Sequence, residues 1–131
     1  MRRIKFKSTV NLAETKFGSK IIYKTDEFFG AANRILNSAK PVFKEGVYDN
    51  HGKWMDGWET RRKRKGGHDY LVIKLGRPGK IYNVEIDTSY FSGNQPSQAS
   101  LEACYSKQNP TKKTIWKTIL NKKKLGPDKN H

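Results

Sequence analysis

Apolar and polar positions alternate with a period of two through DYLVIKLG at residues 69–76. Leu71, Ile73 and Leu75 fall on one face of the predicted strand, and Tyr70, Val72 and Lys74 fall on the other. KIYNVEID at residues 80–87 alternates again, with Tyr82, Val84 and Ile86 inward and Asn83, Glu85 and Asp87 outward. The intervening Gly76, Arg77, Pro78 and Gly79 form a turn signal, so the two runs predict an antiparallel hairpin. Further short strands are expected at KIIY (residues 20–23), ASLEAC (99–104) and IWKTI (115–119). One short helix is expected after Thr25 or Asp26 as cap, through Glu27, Phe28, Phe29, Ala31, Ala32, Ile35 and Leu36. Gly30 weakens it, and Pro41 limits its length. Many short strands with Gly, Pro and Asn punctuation predict an all-β fold, a β-sandwich. LGPDKNH at residues 125–131 reads as a loop leading into another strand, so the last strand or strands of that sandwich are expected to be missing.

Length and cysteine usage bound this picture. A chain of 131 residues is long enough for a domain that buries about two-thirds of the surface of its unfolded form. The single cysteine, Cys104, excludes an intrachain disulfide and a multi-cysteine zinc site, and fits a reducing compartment. No apolar run approaches the ~20 residues of a membrane span, and the basic N-terminus has no apolar core behind it as a secretory signal would. A cytoplasmic location is expected, with the peroxisome as the alternative.

The net charge of +15 would by itself favour a polyanion partner. Its distribution argues otherwise. Residues 1–24 carry seven Lys/Arg against one acid and residues 106–131 carry eight against one, whereas residues 25–105 hold twelve bases against ten acids. The excess is peripheral, and at the C-terminal side it is all lysine, without an arginine fork for phosphate or guanine.

The chemistry concentrates in residues 53–70, where Trp54 and Trp58, Asp56 and Glu59, the run Arg61, Arg62, Lys63, Arg64 and Lys65, and His68 with Asp69 stand close together. Residue types alone leave four readings open. A nucleic-acid strip would use the cations on phosphates and the tryptophans on bases, but Asp56, Glu59 and Asp69 flank it and no nucleic-acid-binding motif is present. A metal site would recruit His51, His68, Asp56 or Asp69, without any specific ligand spacing. A surface loop would pack the tryptophans and solvate the cations. A pocket for a small anionic substrate would use Arg61 or Arg62 as a carboxylate clamp, and His68, with Asp69 or Glu59, to move protons near neutral pH.

The strings TDEFFGAANRIL (25–36), GKWMDGWETRRKR (52–64), GHDY (67–70), DTSYFSGNQP (87–96) and ASLEAC (99–104) closely resemble the N-terminal repeat of the allantoicase (allantoate amidinohydrolase) family, in the family's order and spacing. Two departures are mild: Tyr70 stands where the family usually has tryptophan, and Gly30 where an apolar residue or proline commonly follows the two phenylalanines. The resemblance implies a jelly-roll β-sandwich of the galactose-binding-like kind. It divides the chain into a basic N-terminal extension, residues 1–9, and a single incomplete repeat, residues 10–131. It implies a hydrolase of purine catabolism that converts allantoate and water to ureidoglycolate and urea. Allantoate carries one carboxylate and two ureido groups on one carbon. Arg61, Arg62 and Asp56 are then the expected substrate-binding residues, and His68, Asp69 and Glu59 the expected catalytic ones. No metal ligand or cofactor is assigned. A homo-oligomer or a complementing second repeat is the expected partner, because the family carries two repeats. The competing expectation is a non-catalytic sandwich that binds a small ligand or another subunit.

Overall fold

The structure, a computed structural model, describes residues 10–131. The basic extension expected for residues 1–9 lies outside the described residues. Among the described residues the regular elements are six strands, β1 Lys20–Lys24, β2 Tyr48–Asp49, β3 Gly52–Lys53, β4 Leu71–Lys74, β5 Gln98–Ala103 and β6 Lys117–Lys124, with short 3-10 turns at Thr15–Phe17 and Ala32–Leu36. They pair antiparallel as β1 with β4, β2 with β3 and β5 with β6. The chain divides into two compact units, one ending at Asn83 and one running from Val84 to His131.

In the first unit, β4 pairs with β1 rather than with residues 80–87, which form no strand next to it. Alternation identifies a strand but does not choose its partner. The KIIYK run, with two adjacent isoleucines, supplies a β-branched edge for it. The turn at residues 76–79 leads away, and Gly76 packs its backbone on Phe17 and Gly18 so closely that a Cβ would meet the Phe17 carbonyl oxygen at 1.8 Å. The Ser19 hydroxyl, buried here, donates to the Leu12 carbonyl at 2.6 Å and accepts the Gly76 N–H at 2.9 Å. Tyr82, expected to face inward, is 62 % exposed.

The expected helix after Thr25 shrinks to the single 3-10 turn Ala32–Leu36. The reason lies in the backbone donors. The Asp26 carboxylate accepts the Phe28 N–H at 3.3 Å, and the N–H groups of Phe29 and Gly30 both point at the Glu59 carbonyl, at 3.1 and 3.0 Å. Donors used across the chain cannot close an i to i−4 ladder. The core of this unit is small and gathers Ala32, Leu36 and Met55.

The second unit is the β5–β6 hairpin with a closing loop. Leu101 faces Leu120 across the ladder and Ala99 faces Lys123. The expected strands at residues 99–104 and 115–119 are present, the second beginning later and running farther. Phe91 and Leu125 are its buried apolar residues. Residues 125–131 bind back onto the same unit: the Ile86 N–H donates to the His131 carbonyl at 3.2 Å, the His131 N–H donates to Ile86 at 2.9 Å, and Asp87 bridges Asn130. The buried Thr88 hydroxyl lies 2.7 Å from the Gly126 carbonyl and accepts the Lys129 N–H at 3.2 Å.

Candidate functional site

The candidate site is built where β1 ends and β4 begins. Thr25 follows β1 and Tyr70 precedes β4, and their backbones join through the Thr25 N–H to the Tyr70 carbonyl at 3.0 Å. The Thr25 hydroxyl donates to Asp69 Oδ1 at 2.8 Å and accepts the Tyr70 N–H at 3.1 Å. Lys63 adds a longer ion pair to Asp69 at 3.6 Å. Asp69 is thereby fixed beside the strand end, with His68 exposed next to it and the His68 ring centroid 6.1 Å from that of Tyr70.

Asp26 organises the other side. Its Oδ2 accepts the Arg61 N–H at 2.7 Å, its Oδ1 accepts Arg61 Nε at 3.0 Å, and Arg61 Nη2 lies 2.9 Å from the same oxygen. The indole N–H of Trp58 donates to the Asp26 carbonyl at 2.7 Å. The Arg61 guanidinium also lies over the Phe28 ring, 5.1 Å from its centroid. Burial pushes the Asp26 carboxyl up, but the Arg61 N–H, the Arg61 guanidinium and the Phe28 N–H outweigh it and hold the group below the ordinary carboxylate range. Glu27 is held low as well: the Ala32 N–H contributes most, burial opposes it, and Lys24 and the charge near His51 add to it.

The predicted site residues therefore divide. Arg61 is a cation already committed to Asp26. Arg62 is exposed and, among the described residues, makes no hydrogen bond or ion pair. His68, Asp69, Arg61 and Arg62 belong to the loop that ends at β4. Glu59 joins the site through its backbone, which pairs with Gly30 in both directions. Asp56 turns to a different loop, where its carboxylate accepts the Val42 N–H at 3.0 Å. Trp58 is half-buried and carries a structural hydrogen bond. Trp54 has two cations close to its ring, with Lys44 Nζ 4.5 Å and the Arg34 guanidinium 5.6 Å from its centroid.

Thr25 and Asp26 were readable only as helix caps, so their role as the partners of Asp69 and Arg61 has no local signal; it lies 44 and 35 residues away. A second polar cluster also goes beyond sequence reasoning. Arg34 pairs with Asp49 and donates to the Met55 carbonyl at 2.9 Å, and the His51 ring nitrogen Nδ1 lies 2.9 Å from the Phe28 carbonyl. The His51 N–H, followed by Arg34, holds the Asp49 carboxyl low against its burial. Among the described residues no group of three or more His, Cys, Asp or Glu side chains is placed to hold a metal ion. No helix among them is long and apolar enough to cross a membrane.

An arginine and a carboxylate are thus held by hydrogen bonds at one strand end, with a histidine ring close by. Comparison with known proteins gives the family. A family model described as the allantoicase repeat matches residues 10–131. A probable allantoicase of Acinetobacter baylyi is 48% identical over 124 residues, which is 95% of this chain and 37% of that protein. A probable allantoicase of Rhizobium meliloti is 49% identical over 123 residues, 94% of this chain and 36% of the relative. Among solved structures, one of allantoicase superposes with a TM-score of 0.74 at 29% identity, covering 93% of this chain and 37% of that one. The allantoicase of Saccharomyces cerevisiae gives 0.73 at 28% identity with the same coverage. The chain belongs to the allantoicase family, and it spans little more than a third of the length of the relatives it matches. The β-sandwich class expected from the strand pattern accords with these structures.

Proposed function

We infer that this chain is a domain of an allantoicase, acting in the cytoplasm on allantoate. The observation that carries the reading is the pairing of Thr25 with Asp69 and of Asp26 with Arg61. These contacts bring TDEFF and GWETRRKR…GHD, strings that carry the family resemblance, to one strand end. In the reaction, water oxygen forms a bond to the carbon that carries both ureido groups, one C–N bond breaks, and the departing nitrogen takes a proton as urea leaves. Ureidoglycolate keeps the new hydroxyl. Arg62, whose guanidinium is exposed, binds the substrate carboxylate. Arg61, already paired with Asp26, frames the site and presents its remaining N–H donors. His68 delivers the proton to the leaving nitrogen, with Asp69 orienting it and Glu59 as the second carboxylate. Asp56 contributes from its own loop through hydrogen bonds to a ureido N–H.

A partner completes the assembly in this reading, either a further copy or a second allantoicase-type repeat. The exposed apolar side chains support it: Phe28, Phe29, Val42, Phe43, Val47 and Tyr48 in the first unit are each at least 40% exposed. Urea release from allantoate, measured with the chain alone and together with the remaining portion of a related allantoicase, tests the function. Release that appears on complementation and falls sharply in His68→Ala is expected. Failure of every combination to release urea, with both parts folded, would remove the hydrolase assignment.

A further inference from the structure

The β1–β4 ladder contains an irregularity that the function above does not use. Lys20 pairs with Lys74 and Ile21 with Ile73, but the register then slips so that Tyr23 faces Val72 and Lys24 faces Leu71. In a regular ladder Ile22 would face Val72 and Tyr23 would face Leu71, on the opposite side of the sheet. The extra residue turns Tyr23 onto the face shared by Val72 and Tyr70. Its ring there stacks on the Tyr70 ring, with centroids 5.3 Å apart and planes at 29°. Both rings are about half exposed, 49% for Tyr23 and 48% for Tyr70. A bulge beside a functional site is a common device for re-aiming one side chain.

The geometry points to the Tyr23–Tyr70 pair as a stacking floor for the planar, uncharged ureido group of the substrate, beside His68 and the Thr25–Asp69 contact. The proposal rests on the allantoate reading and adds the subsite that distinguishes a ureide from a simple carboxylate. Three further observations support it. The His68 ring lies against Tyr70, so a ureido nitrogen on the floor is next to the proton donor. A ureido plane matches an aromatic face in shape and can stack on it. The Tyr23 side chain raises the Tyr70 phenol above its ordinary value, so the Tyr70 hydroxyl keeps its proton at neutral pH and can donate to a ureido carbonyl.

The test is an NMR titration of the 131-residue chain, uniformly labelled at its amides and also labelled on its tyrosine rings, with the ring signals assigned through Tyr23→Phe and Tyr70→Phe. The probes are acetate, ureidoacetate and allantoate. Ureidoacetate and allantoate are expected to move the Tyr23 and Tyr70 ring signals, and acetate to leave them in place. Tyr70→Ala should weaken allantoate binding by about five- to tenfold without changing acetate binding, while Tyr70→Trp, which keeps an aromatic face, should stay within about twofold. Ring signals that stay fixed while allantoate moves His68 and Arg62 would overturn the stacking floor and leave the allantoate reading standing. Allantoate that moves no signal of the chain would overturn both. A matching spectrum of each variant without ligand establishes that it is folded.

Discussion

Asp26 and Arg61 stand 35 residues apart in the chain and are joined by both backbone and side chain: one carboxylate oxygen takes the Arg61 N–H at 2.7 Å while the other takes Arg61 Nε at 3.0 Å. The Asp26 side chain is 15% exposed against 67% for Arg61, so the carboxylate is the sheltered partner. A sheltered carboxylate that gathers three N–H groups serves as a local scaffold. Its removal leaves the Arg61 and Phe28 N–H groups to find water.

Asp26→Ala should therefore destabilise the chain by about 1–3 kcal/mol, the range for loss of hydrogen bonds to a charged group. Arg61→Ala should cost less, about 1 kcal/mol, because its N–H to Asp26 remains and the guanidinium is largely solvated. Denaturant midpoints compared with wild type check both values. An Asp26→Ala midpoint equal to wild type would contradict the scaffold role.

Acid should act through the same groups. The carboxyls of Asp26 and Glu27 sit below their ordinary values in the folded chain. A depressed folded value means that the unfolded chain binds protons first as pH falls. Their stabilisation is complete above the ordinary carboxylate range, near pH 5, and is lost as pH drops through 4 and below. The denaturant midpoint should fall over that window in wild type and fall less steeply in Asp26→Asn, as followed by fluorescence of Trp54 and Trp58.

Gly30 has a packing requirement rather than a conformational one. A Cβ there would lie 2.6 Å from the Gly57 carbonyl oxygen and 3.0 Å from the Glu59 nitrogen, in the bridge that joins TDEFFG to GWET. Gly30→Ala should cost about 1–3 kcal/mol by forced separation of two backbones. Gly66→Ala, where a Cβ meets nothing within 4 Å, should stay within about 0.5 kcal/mol of wild type. Thermal melts of the two variants separate these outcomes.

The exposed apolar side chains predict association. Phe28 at 53%, Tyr48 at 71%, Tyr105 at 87% and Ile115 at 91% exposure leave much apolar area in water, whereas the buried apolar residues among those described are Ala32, Leu36, Met55, Phe91 and Leu125. Sedimentation at rising concentration should show reversible growth beyond the 15.1 kDa chain. A monomer unchanged across the concentration range would count against a required partner.

Sequence and structure agree on several strands, but residues 80–87 form none, the expected helix is a 3-10 turn, and the pairing differs. The strands at residues 71–74, 98–103 and 117–124 follow from alternation and β-branched content, which are local properties. The β1–β4 pairing and the bulge at Ile22 do not, because a period of two carries no information about the partner strand. The short helix failed for a related reason: donors at Phe28, Phe29 and Gly30 find acceptors at Asp26 and Glu59, and the Glu59 partner is long-range. Within the site, the strings that contain Arg61, Arg62, His68 and Asp69 were readable as charge and aromatic content. Their ties to Asp26 and Thr25 depended on the fold.

The central claim is that allantoate binds where β1 ends and β4 begins. Amide chemical-shift mapping of the uniformly labelled chain during an allantoate titration addresses it directly. The account predicts saturable shifts at residues 25–30, 59–62 and 68–70, lost in Arg62→Ala, with β5 and β6 unmoved. Shifts confined to β5 and β6, or no shifts at saturating allantoate, would contradict it.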